Sequence, residues 1–85
     1  MLVTKQFDMG EVIFEIIKPY FPDAKTRELV ESENWMVLIH KGTVSWFAGG
    51  PLLDMKTRKT ALFPSPKGAL KAAVEFAHHC GLREA

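Results

Sequence analysis

The most reactive side chains of this sequence stand together near the C-terminus, in His78-His79-Cys80. Histidine and cysteine are the commonest zinc ligands, and a cysteine beside a histidine is also a pairing that nucleophilic catalysis uses. The spacing opposes both chemistries. Neighbouring helical residues are about 100° apart around the axis, so three in a row cannot converge on one ion. Glu75 with His78 or His79 has workable i, i+3 or i, i+4 spacing but brings only two ligands. The negative end of a helix disfavours a thiolate, which leaves Cys80 as a small apolar residue and suits the histidines to the helix dipole. Phosphate-loop, dinucleotide, His-Glu-x-x-His and Gly-x-Ser-x-Gly patterns do not occur, and the acids are scattered. The expectation is a protein that is not an enzyme and has no catalytic residue, metal site or cofactor.

What remains is charge and apolar surface. The chain has 11 Lys and Arg against 10 Asp and Glu, unevenly spread: residues 1–35 hold 7 acids and 4 bases, whereas 36–85 hold 3 acids and 7 bases. Lys56, Arg58, Lys59, Lys67 and Lys71 follow one another with no acid between Met55 and Val74, which makes this the anion-facing candidate. A solvated loop and helix face would carry the same charges.

Behind these residues stands one small domain, 1–85, with 47% apolar residues, enough for a single core and too many for disorder. One Cys excludes a disulfide framework, and no apolar run approaches the roughly 18 residues of a membrane span; a cytoplasmic protein without membrane contact is expected. No internal repeat stands out. The first element reads as a helix from Asp8, with Glu11 completing a capping box and Val12, Ile13, Ile16, Ile17 and Tyr20 forming its stripe, stopped by Pro19 and Pro22. Thr26–Glu31 reads as a mixed strand and Trp35–His40 as a strong one. Lys41-Gly42 then reads as a hairpin loop leading to a strand over Thr43–Ala48. A short strand near Thr60–Phe63 precedes a helix capped by Ser65, opened by Pro66 and stopped by Gly81.

These elements predict an α+β fold, α-β-β-β-(β)-α, with an antiparallel sheet and two helices packed on one face. In the hairpin register Trp35, Val37, Ile39, Val44 and Trp46 face the core, with Trp35 opposite Ala48. The other face carries Met36, Leu38 and Phe47, where a one-sided sheet would normally show charge. With Leu52, Leu53 and Met55 these residues make a candidate surface for a protein partner or a second copy, unless the 49–59 loop covers it.

The same layout, with bases opening the last helix in Ser65-Pro66-Lys67-Gly68-Ala69-Leu70-Lys71-Ala72-Ala73, resembles the double-stranded-RNA-binding domain. The resemblance implies nucleic-acid binding, with the helix lysines on phosphates, as the alternative to protein binding.

Overall fold

The computed structural model describes residues 1–47 and 49–85. Where a helix is expected from Asp8, the chain forms a β-hairpin. Strands β1 (Leu2–Phe7) and β2 (Gly10–Ile17) pair antiparallel, with Asp8-Met9 between the Phe7–Gly10 rung. The cause lies in a residue that the helical stripe leaves out. Phe14 would fall on the polar side of such a helix, yet Val12, Phe14 and Ile16 alternate and are all buried to 1% or less, the period-2 signature of one strand face. Val12, Ile13, Ile16 and Ile17 are also β-branched, which favours the extended chain.

From β2 the chain runs into a second hairpin, β3 (Tyr20–Pro22) with β4 (Leu29–Glu31), and returns through β5 (Met36–His40). β5 is the strong strand of the sequence reading, but its neighbours differ. It pairs with β2 from Ile13↔His40 to Ile17↔Met36, and on its other side with β6 (Gly50–Pro51), giving the antiparallel order β1-β2-β5-β6. The hairpin through Lys41-Gly42 does not form. Residues 43–47 make an irregular turn that folds back on β2: Thr43 N–H donates to the Glu11 carbonyl at 2.9 Å, and Glu11 N–H donates to Thr43 Oγ1 at 2.7 Å. Gly42 is needed for that approach, because a β-carbon there would overlap the Glu11 carbonyl oxygen. Ala48, the expected partner of Trp35, lies outside the described residues.

The strand alongside β5 is built in two pieces. Leu52 N–H donates to the Val37 carbonyl at 2.9 Å, and Phe63 exchanges both backbone bonds with Trp35 at 2.7 and 2.8 Å. Between them, residues 53–60 leave the sheet as a small hairpin closed by a Leu53–Thr60 bridge.

Among the described residues one helix, not two, covers the sheet. Helix α1 (Pro66–His79) is capped by Ser65, whose hydroxyl accepts from Gly68 N–H at 3.0 Å. It ends in a Schellman motif: Leu82 N–H reaches Ala77 O and Gly81 N–H reaches His78 O, both at 3.0 Å, with Gly81 at φ 99°. Ala69, Ala73 and Ala77 are fully buried, so the helix lies close against Phe14, Ile16, Val37 and Ile39. Each large side chain sealed there contributes about 1.5–3 kcal/mol. The architecture is therefore mostly antiparallel sheet followed by one C-terminal helix. The leading helix is absent, and with it goes the layout that resembles a double-stranded-RNA-binding domain.

The β3–β4 hairpin is an arm. Its base is tied down: Ser32 N–H donates to Pro19 O at 2.8 Å, Glu31 accepts from the Tyr20 hydroxyl at 3.0 Å, and Lys18 lies 5.1 Å above the Trp35 ring centroid. Beyond the base it stands away from the core. The radius of gyration is 13.9 Å, and the extents are 47 × 26 × 21 Å, whereas a compact chain of this length would have about 12 Å. Among the described residues, no helix is long and apolar enough to cross a membrane.

Candidate functional site

The apolar residues named from sequence separate into two groups. Met36 and Leu38 do lie on the sheet face away from α1, alternating with the core residues Val37 and Ile39, but Met36 is buried and Leu38 half-buried. Phe47 and Leu52 belong to the core on the helix side, where Phe47 packs 5.9 Å from the Phe76 ring. The irregular turn turns Phe47 inward and leaves Trp46, expected in the core, 53% exposed. Only Leu53 and Met55 remain open, Met55 at 79%.

Leu53 and Met55 form one wall of a cleft. The 53–60 hairpin leans over α1, and the space between holds about 590 Å³, lined by Leu53, Met55, Ala61, Phe63, Ala72 and Phe76. Asp54, Lys56, Glu75 and His79 stand at its polar margin. A smaller hollow of about 380 Å³ adjoins it on the β6 side, sharing Leu53, Met55 and Phe76. Roughly 300–1,000 Å³ is the usual size of clefts that hold a ligand or an anchoring side chain.

The arm carries the other open apolar surface. Tyr20, Phe21, Leu29 and Val30 are between 46% and 69% exposed, and Phe21 pairs with Val30 directly across the two strands. A three-rung hairpin has little stability alone. The Tyr20 hydroxyl titrates above its ordinary range because Glu31 accepts its proton and adds negative charge beside it.

The His78-His79-Cys80 group does not converge. His78 packs edge-on against Phe7 with ring centroids 6.5 Å apart, while Cys80 is the half-buried helix C-cap. No three metal-ligating residues come together among the described residues. A pair the sequence reading did not connect, Glu15 and His40, meets at 2.8 Å on the outer sheet face. Its signal is the β2–β5 register, which a helix over residues 8–18 conceals.

The basic residues show a second feature missed in the sequence. Lys67 and Lys71 lie on the exposed side of α1, and Lys56, Arg58 and Lys59 on the 53–60 hairpin. That hairpin turns through Asp54-Met55-Lys56-Thr57-Arg58-Lys59, and the arm turns through Asp23-Ala24-Lys25-Thr26-Arg27-Glu28: the same Asp-x-Lys-Thr-Arg word, twice. The two turns have one geometry. Asp23 Oδ1 accepts from Lys25 and Thr26 N–H at 2.8 and 3.1 Å, and Asp54 Oδ1 from Lys56 and Thr57 N–H at 2.8 and 3.2 Å. Thr26 and Thr57 each accept the amide two residues on at 3.3 Å. Arg27 and Arg58 both stand at φ 59°, a left-handed conformation that costs a non-glycine residue about 1–2 kcal/mol.

In both turns the Asp carboxylate is spent on backbone amides. Asp23 is held below its ordinary range first by the Thr26 amide and then by that of Lys25. The ion pairs among the described residues are Lys18–Glu31 and Glu15–His40, so the turn cations have no acidic partner there. No protein-family model matches this chain, and no curated protein or solved structure matches it either.

Proposed function

We propose that the chain is a non-catalytic interaction module that pairs with itself, the arm of each copy seated in the α1 cleft of the other. The observation that carries the reading is the arm: four exposed apolar side chains on a three-rung hairpin that nothing among the described residues covers. An exposed apolar patch of this kind has a cost in water that docking removes. The cleft offers a matching apolar volume of about 590 Å³, room for the Phe21–Val30 pair.

Area decides whether such a pairing would hold. The open apolar surface of the arm is about 400 Å², and Leu53 with Met55 adds about 200 Å². Phe21 and Val30 share one face of the arm while Tyr20 and Leu29 point to the other, so each contact seats the Phe21–Val30 pair and the interface is of the small class that weak, transient pairings use.

The test uses one variant on each side, Phe21→Asp on the arm and Met55→Asp at the cleft. Both positions are exposed, so folding is preserved. Each variant alone sediments as a monomer; mixing them restores one intact arm–cleft contact and a weaker dimer. Wild-type protein that stays monomeric at several hundred micromolar overturns the reading.

A further inference from the structure

We propose that the two Asp-x-Lys-Thr-Arg turns are a paired phosphate-binding device that grips the backbone of a nucleic-acid duplex. The inference does not rest on the self-pairing above: it is argued from the turn cations, although Met55 and Lys56 belong both to the second turn and to the cleft. It begins from the repetition. Two hairpins with different strands and different positions in the sheet end in the same five-residue word and the same backbone path. The Asp and Thr of that word are explained by the turn itself, because they satisfy its amides. The Lys and Arg are not. Their side chains make no hydrogen bond or ion pair among the described residues, and all four are exposed.

The arginines are the stronger indication. At φ 59° glycine would be the easier residue, and the turn uses no part of the guanidinium, yet Arg stands there both times. An arginine kept where its backbone is disfavoured is explained by what its side chain does. A guanidinium and an ammonium two residues apart on a hydrogen-bonded turn form a fork that suits phosphate oxygens.

Position supports joint use. The arm leaves the sheet at the Ile17–Met36 rung and the second hairpin leaves beside Val37, so the bases of both hairpins lie at one end of the sheet. A duplex presents regularly spaced phosphates along a stiff rod, so two cationic forks on one chain can grip it together. Lys59 adds a third cation to the second turn.

The experiment is fluorescence anisotropy of a 20-base-pair duplex, as DNA and as RNA, from about 50 to 200 mM KCl, with the double variant Arg27→Gly/Arg58→Gly. Glycine suits the backbone at both positions, so the melting temperature stays the same or rises, which separates binding from folding. Wild type binds at low salt, and the variant binds at least ten-fold more weakly with a log–log salt slope shallower by about 2, since each phosphate contact contributes about 0.9. Lys67→Ala/Lys71→Ala, on the helix, changes the slope less. The proposal is overturned by absence of wild-type binding at 50 mM, by a double variant that binds like wild type, by a larger effect of the helix lysines, by equal affinity for the single strand, or by binding to phosphatidylserine vesicles in place of the duplex.

Discussion

Replacing Gly42 with Ala tests the path by which the chain after β5 folds back on β2. A β-carbon at Gly42 would overlap the Glu11 carbonyl oxygen and lie 2.7 Å from the Glu11 carbonyl carbon. Both neighbours are backbone of a paired strand, so no side chain can swing aside. Relief requires the 41–43 segment to move off β2, which breaks the two Thr43–Glu11 hydrogen bonds. Overpacking of this kind costs about 1–3 kcal/mol, and the lost bonds about 1 kcal/mol each, so a loss near 3 kcal/mol is expected. An 85-residue domain has only about 4–13 kcal/mol in total, and each kcal/mol is about 4–8 °C in melting temperature. Far-UV circular dichroism under heating should show a fall of roughly 12–24 °C. Lys41→Ala, an exposed neighbour, should stay within about 0.5 kcal/mol. A Gly42→Ala variant within that same margin would refute the close approach and reopen the hairpin of the sequence reading.

Ser65→Ala removes the side chain that accepts from Gly68 N–H, and urea denaturation should show a loss of about 0.5–2 kcal/mol. The Asp23 carboxyl is held below its ordinary value of 3.8 by the arm-turn amides. Its contribution is therefore present above that value and lost as pH falls through the lower folded one. Amide protection at Lys25 and Thr26, measured against the intrinsic exchange rate at each pH, should fall between about pH 4 and 2, and Asp23→Asn should remove that loss. Protection in the wild type that does not change over this range would contradict the turn geometry.

How much the sequence reveals depends on which neighbours an element needs. Helix α1 is legible because its signals are local: the Ser65 cap, Pro66, the alanine stripe and the Gly81 stop all act within a turn or two. β5 is legible from its own composition. The N-terminal hairpin was hidden because Val12, Ile13, Ile16 and Ile17 fit helical and extended periods alike, and only Phe14 separates them. Gly42 was legible as a special residue but not for its reason, which is contact with a strand thirty residues earlier in the chain. The apolar face shared that fault: its alternation at Met36 and Leu38 was correct, but Phe47 depended on a strand that the chain does not form. The repeated turn was open to view in the sequence, yet its meaning lies in the hydrogen bonds that leave Lys and Arg free.

Sedimentation velocity of the unmodified chain over a hundred-fold concentration range tests self-pairing most directly. The account predicts a shift from the 9.6 kDa chain to twice that mass, abolished by Phe21→Asp and partly recovered on mixing with Met55→Asp. A single monomeric species throughout, or a dimer indifferent to both substitutions, would contradict it.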